Sequence, residues 1–371
     1  MYLNRRDFGK LAVAAAALPT GSLLAAKPNS NFGGVQIGAI TYSYRDKPEL
    51  ANDAHELLKL LVDSNISAIE LMPPVAENFA GAPAAPARQG RGPAGPGGPG
   101  GGRGPGGPPT PAGMVTNPDG SVSCPVPAIA EGRGPGGGRQ GGGGGGRGAG
   151  QPNPEMEAYQ AELKKWRLSV SMDKFKALRK LYNDAGVSIY CHKLTPSMAM
   201  SDDEYDYMFN VAGALGANQV SLELNGDRAF LKRLGDFALK HKMLAAYHYH
   251  TTATITAWDE ALDISKGNAV NLDCGHYLAG TGLSPIPVLE KYAKMGRIGS
   301  LHLKDRTTPA HCSQNLSWGK GDTPIGEILK TMRKNKWKFP ASIELEYQIP
   351  EGSTAVAEVR KCVEFCQKAL A

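Results

Sequence analysis

What the chain has little of narrows it first. It has no apolar run near the N-terminus long enough to cross a bilayer: Leu11–Leu18 is eight residues, whereas a spanning helix needs about twenty. It has no Cys-x-x-Cys spacing. Its six cysteines, Cys124, Cys191, Cys274, Cys312, Cys362 and Cys366, fit neither a zinc knuckle nor a small disulfide framework, and they are read as buried or incidental thiols. It also has little net charge outside one segment. Of the formal +6, residues 81–150 contribute +4, from Arg88, Arg91, Arg103, Arg133, Arg139 and Arg147 against Asp119 and Glu131. The remainder is close to neutral and shows no nucleic-acid footprint.

The same segment holds 27 of the 47 glycines and almost no large apolar side chain. Such a stretch cannot recover its ordering entropy by burial. A long disordered Gly/Pro-rich insertion is therefore expected over 80–153. At the N-terminus, Asn4-Arg5-Arg6-Asp7-Phe8-Gly9-Lys10 is followed by LAVAAAAL, Pro19 and Ala25-Ala26. This resembles a twin-arginine export signal. Residues 1–30 are read as that signal, and the resemblance implies an exported, periplasmic protein loaded with its metal before export. Without these two stretches roughly 270 residues remain, near the typical size of a (β/α)8 barrel.

The rest alternates between two periodicities. Short apolar runs that read as strands are Val35–Arg45, Ile66–Leu71, Val187–Leu194, Asn218–Leu224, Met243–His250, Ala269–Asp273, Ile298–Leu303 and Ala341–Leu345. Between them lie segments of helical spacing, among them Glu49–Asn65, Glu155 through Leu181, Ser201–Leu215, Trp258–Ser265, Ile286–Met295, Ile325–Asn335 and Ala355–Leu370. Strict strand-then-helix alternation demands parallel pairing with right-handed crossovers. The expected fold is a TIM barrel over 31–371, interrupted after its second strand by the insertion.

In such a barrel the C-terminal ends of the strands share one rim. That rim would collect Tyr42, Glu70, His192, Glu223, His248 or His250, Asp273, His302 and Glu344 or Glu346. The organising stretch is Asn271–Asp305, where NLDCGHY delivers Asp273 and His276 and SLHLKD delivers His302, Lys304 and Asp305. Carboxylates with histidine make an oxygen-rich site suited to Mn2+, with Mg2+, Co2+ or Zn2+ as alternatives. The short Gly319-Lys320-Gly321 sequence before a helix reads as a turn, with a phosphate cradle as the alternative.

ITYSYR, SAIELM, AAYHYH, NLDCGHY, SLHLKD and SIELEY, in that order, resemble the xylose isomerase-like barrel superfamily. Its members are commonly described as sugar phosphate isomerases/epimerases, with inosose dehydratase and ketose 3-epimerase among the relatives. The resemblance implies one divalent ion held by a Glu, an Asp, a His and a second Glu from separate strands. It places the Asp on Asp273, the His on His302 and the last Glu on Glu344. The first Glu falls where this chain has His248 and His250, and the nearest carboxylate, Glu223 on the preceding strand, is taken as the fourth ligand.

Such an ion would chelate a hydroxyl and an adjacent carbonyl oxygen, acidifying the carbon-bound proton between them and stabilising an enediolate. Glu344 is the first acid/base candidate and His248 or His250 the second. Lys304 and His276 would orient substrate oxygens, with Tyr42, Glu70 and His192 as further substrate contacts. The expected function is an isomerase/epimerase, or a lyase/dehydratase, acting on a sugar, keto-sugar or cyclitol. The expected partner is that small molecule, with no nucleic acid and no membrane span; a homo-oligomer is left open. The alternatives are a non-catalytic carbohydrate-binding barrel and an endonuclease-IV-like hydrolase with three zinc ions.

Overall fold

The computed structural model describes residues 27–86 and 154–371, with two short strands, Val115–Thr116 and Val122–Ser123, between them. The signal expected over 1–30 and the insertion expected over 80–153 thus lie almost wholly outside the described residues. Eight strands form the barrel: β1 (Val35–Ile40), β2 (Ala68–Leu71), β3 (Ser188–Lys193), β4 (Gln219–Glu223), β5 (Leu244–His248), β6 (Asn268–Asp273), β7 (Ile298–Leu303) and β8 (Ala341–Ile343). They pair in parallel in chain order, and β8 returns to β1 to close the ring. The outer layer is α1 (Ala54–Asp63), α2 (Met172–Asp184), α3 (Asp202–Leu215), α4 (Arg228–Lys240), α5 (Asp259–Ile264), α6 (Ile286–Lys294), α7 (Ile325–Asn335) and α8 (Ala355–Ala369).

The local chemistry explains the elements. In α7, Ile325, Ile328, Leu329 and Met332 are buried, a spacing that lays one apolar stripe against the barrel. α3 opens on a capping box between Ser201 and Glu204 and stops at Gly216, whose left-handed φ of 87° suits glycine. Ahead of β1, Asn31–Phe32 folds back antiparallel onto Val35 and Gln36. The intervening Gly33 and Gly34 have φ of 57° and 83°, the conformation a two-residue hairpin turn requires.

The lumen is less apolar than is usual for this architecture, where Val, Ile and Leu fill the layers. Contacts between strands that are not neighbours in the ring must run through the interior, and several here are polar. Ser221 of β4 bonds Glu70 of β2, His302 of β7 bonds the same carboxylate, and Tyr190 of β3 meets Ser342 of β8. A polar column therefore leads to the C-terminal rim.

The strand ends differ from expectation for identifiable reasons. β1 stops at Ile40 and continues as a 3-10 turn over Thr41–Tyr44. There Ser43 Oγ donates to the Ile343 carbonyl at 2.9 Å and accepts from the Leu345 amide at 3.1 Å. This hydroxyl replaces ladder bonds and ends β1 and β8 together. The helix expected from Glu155 through Leu181 is two, Pro154–Ser169 and α2, because Ser171 caps the second. Two further helices, Pro73–Ala80 and Cys274–Thr281, follow β2 and β6 directly. Cys191, Cys274, Cys362 and Cys366 are buried free thiols as expected. Cys312 is disulfide-bonded, contrary to that reading. No helix among the described residues is long and apolar enough to cross a membrane.

The helix Cys274–Thr281 packs so tightly on the loop after β5 that a Cβ at Gly280 would stand 1.9 Å from the Thr251 carbonyl oxygen. Backbone cannot rotate away as a side chain can. Gly280→Ala should lower stability by about 1–3 kcal/mol or more, read as the urea midpoint; an unchanged midpoint would contradict this packing.

Candidate active site

The parallel ladder decides which side chains meet. Glu223 pairs in register with His248, His248 with Asn271, and Asp273 with His302. Beyond each strand the chain stays extended for a few residues, so every second side chain again faces the mouth. The alternation yields His248 and His250, then His302, Lys304 and Arg306, then Glu344 and Glu346.

Four of these converge. Single ligand atoms of His248, Asp273, His302 and Glu344 lie within 4.8 Å of one another, and all four residues are buried. His248 Nε2 is 3.2 Å from Asp273 Oδ2, and His302 Nδ1 is 2.8 Å from Glu344 Oε2. The Lys304 ammonium sits among them, 2.9 Å from Asp273, 3.0 Å from Glu344 and 2.9 Å from Glu346. A second grouping of His248, His250 and His276 shares His248 with the first.

Glu223, expected among the ligands, is outside both groupings. Its carboxylate stands behind His248, 3.0 Å from Nδ1, and takes Lys193 Nζ at 2.8 Å. His248 occupies the position expected of a carboxylate. Glu70, expected at the rim against substrate, is fully buried beneath His302, 2.9 Å from its Nε2. His192 is set apart, its Nδ1 3.1 Å from the Leu71 carbonyl. Burial pushes its pKa down to about 4, so it is neutral. Tyr42 is at the rim with the Arg45 guanidinium 4.9 Å over its ring, and its hydroxyl feels Glu346 and Glu344. His276 follows Asp273 on the next turn, because Asp273 Oδ1 accepts the His276 amide at 2.7 Å and starts the helix. Its ring lies between Lys304 Nζ at 3.0 Å and Arg306 Nη1 at 2.6 Å.

Arg306 was not anticipated, and Glu346 only as an alternative to Glu344. The signal for both was the every-second-residue pattern past His302 and Glu344. The Gly319-Lys320-Gly321 turn is a nest of backbone amides, and Asp305 fills it. Asp305 Oδ2 accepts the three amides at 2.7, 3.1 and 3.0 Å, and Oδ1 accepts Thr323 N at 3.3 Å. The phosphate-cradle alternative is overturned by the chain's own carboxylate.

The electrostatics are tightly balanced. Burial alone would raise the pKa of Asp273 and Glu344, but His276 and Lys304 for the first, and Lys304 and His302 for the second, hold both below the ordinary range. Burial would depress His248 and His302. Glu223 and Asp273 instead push His248 up to about 9, and Glu70 and Glu344 push His302 up to about 10. His250 and His276 are lowered by burial, with His248 adding to the first and Lys304 and Arg306 to the second. Five carboxylates (Glu70, Glu223, Asp273, Glu344, Glu346) thus face three permanent cations (Lys193, Lys304, Arg306), leaving two negative charges in excess. Two imidazole protons or one divalent cation would balance that excess. The buried atoms His302 Nδ1, Glu344 Oε2 and Glu346 Oε2 are held by ion-pair contacts, the first two with each other and both carboxylate oxygens with Lys304. The donor set, two imidazoles and two carboxylates, therefore fits a borderline divalent ion.

A family model described as a xylose isomerase-like TIM barrel matches residues 155–366. No curated protein matches the chain. Among solved structures, a sugar phosphate isomerase/epimerase from Parabacteroides distasonis ATCC 8503 is similar with a TM-score of 0.52 at 15% identity, covering 92% of this chain and 97% of that one. A probable 3-DHS dehydratase from Bacillus anthracis is similar with a TM-score of 0.52 at 11% identity, covering 89% and 98%. At these identities the likeness is one of fold.

The raised histidines carry a sign. Against an ordinary value of about 6.5, His248 at about 9 and His302 at about 10 contribute stability that is complete below about pH 6.5 and lost as pH climbs through their folded values. Chelator-treated protein should lose melting temperature between about pH 7 and pH 10. A flat profile by thermal scanning across that window would contradict the assigned contacts.

Proposed function

The chain belongs to the xylose isomerase-like TIM barrel family, and from that premise we propose that it is a divalent-metal-dependent enzyme that removes a proton beside the carbonyl of a sugar, keto-sugar or cyclitol. The observation that carries the reading is the convergence of His248, Asp273, His302 and Glu344 from four adjacent strand ends. The two similar structures, a sugar phosphate isomerase/epimerase and a probable dehydratase, support this reaction class.

The inner four residues would hold the ion, with Mn2+ first among the candidates. When bound, the ion supplies a Lewis acid that polarises a carbonyl and an adjacent hydroxyl. The chain's own groups do the rest. His250 is the base: its side chain is 52% exposed, so substrate can reach it, and its lowered pKa keeps it neutral and able to accept a proton. Glu223, 3.6 Å from His250 Nδ1, orients the ring and steadies it once protonated. Lys304 and Arg306 fix Glu346 and His276 at the mouth, where these two can hold substrate hydroxyls. Glu344, expected both as a ligand and as the first acid/base candidate, keeps only the ligand role in this assignment. Return of the proton to carbon gives isomerisation or epimerisation; its delivery from the protonated His250 to a departing β-hydroxyl gives dehydration, with water as the product.

Metal analysis of the purified protein should find about one Mn-type ion per chain, and solvent deuterium should enter the carbon next to the carbonyl in a panel of keto-sugars. His250→Asn should cut that exchange by roughly 10²–10⁴-fold while the ion stays bound. About three zinc ions would instead favour a hydrolase, with the His248, His250 and His276 grouping taking part. No ion and no exchange would leave a carbohydrate-binding barrel.

A further inference from the structure

We propose that Glu70 is a positioning residue that fixes the aim of His302, so that the imidazole turns its Nδ1 lone pair toward a divalent cation at the barrel mouth; this rests on the metal reading above. Glu70 lies on β2, outside the residues that carry the family match, and it is fully buried in the lumen.

The two ring nitrogens of His302 have different surroundings. Nε2 is 2.9 Å from Glu70 Oε2 in hydrogen-bond geometry. Nδ1 is 2.8 Å from Glu344 Oε2, an ion-pair contact on the side of the barrel mouth. When Nδ1 faces a cation, the proton that His302 keeps is the one on Nε2, donated to Glu70, and Nδ1 is free to act as a ligand. Nδ1 thereby points at Glu344, whose Oε2 also meets Lys304 Nζ at 3.0 Å, and so toward the grouping of His248, Asp273, His302 and Glu344. A metal-binding histidine whose other N–H is given to a carboxylate has its tautomer and ring orientation fixed and its basicity raised.

Glu70 is itself held from several sides. Ser221 Oγ donates to Oε1 at 2.5 Å, and the Tyr190 hydroxyl and Asn271 Nδ2 each stand 3.5 Å from Oε2. The Asn271 amide is also 3.2 Å from His302 Nε2. Turned over, it would bring Oδ1, which lacks a partner, toward the same N–H. Donors from β3, β4 and β7 thus surround a single carboxylate from β2. An arrangement that merely tolerated a buried charge would not need the carboxylate aimed at one nitrogen of one ring.

The test uses the full-length protein with Mn2+ as the probe for affinity, by titration calorimetry, and Zn2+, which is diamagnetic, for the imidazole ¹⁵N resonances. Glu70→Gln keeps the shape and removes the charge; it should bind Mn2+ about 10–100-fold more weakly than wild type. The wild-type ¹⁵N shifts should place the His302 proton on Nε2. Binding by folded Glu70→Gln within about twofold of wild type, or a wild-type proton on Nδ1, would overturn the proposal. Should Glu70→Gln fail to fold, Ser221→Ala decides: it leaves both charges and loosens Glu70, so weaker Mn2+ binding supports the role and unchanged binding sinks it. A wild-type protein that binds no divalent ion overturns the metal reading and this inference with it, whereas normal wild-type binding with an indifferent Glu70→Gln overturns this inference alone.

Discussion

Carboxylates buried side by side have to be neutralised, because each desolvated charge without a partner costs several kcal/mol. At the mouth of this barrel that requirement governs the rest. Lys304 meets it at the centre, its ammonium within 3.0 Å of Asp273, Glu344 and Glu346. Lys193 does the same for Glu223 at the side, and His302 links Glu70 below to Glu344 above. The side chains are spread over six strands or their extensions, so strand register and charge compensation depend on each other. A shift of one residue in any of these strands would turn its charged group out of the cluster and leave another unpaired.

The two-residue alternation past the strand ends divides the work. The inner positions, His248, His302 and Glu344, join Asp273 in the group suited to a cation. The next inward positions, His250, Lys304 and Glu346, lie toward the mouth, where His276 and Tyr42 complete the wall. Only His250 among the grouped histidines is exposed, which is why it is the one proposed as the base. The polar column beneath, from Tyr190 and Ser342 through Glu70 to His302, gives the inner group a rigid floor in place of the usual aliphatic layers.

Much of this was legible in the chain before any coordinates. Eight apolar runs separated by helical spacing give the barrel, since parallel strands buried on both faces leave a strong compositional trace. Asp273, His302 and Glu344 could be placed at strand ends because each follows such a run directly. Glu223 was preferred to His248 as the fourth ligand, yet the two are partners at the same level of the ladder, and which of two neighbours points to the axis depends on tilt and stagger, to which composition is blind. Glu70 looked like a rim residue for the same reason, although its depth in the lumen follows from the short β2. Asp305 was harder still, because the turn it fills lies fourteen to eighteen residues further along and its shape has no periodic signal. The ends of β1 and β8 were obscured by Ser43, a hydroxyl that takes over ladder bonds some three hundred residues away.

Whether one divalent cation bound between His248, Asp273, His302 and Glu344 matches the charge excess at the rim is read most directly by anomalous diffraction at the manganese edge from crystals soaked in Mn2+. One strong peak is expected, within roughly 2.0–2.4 Å of a ligand atom of each of these four residues. A peak centred instead on Glu223 with no contact to His302, or no peak at the barrel mouth, would contradict it.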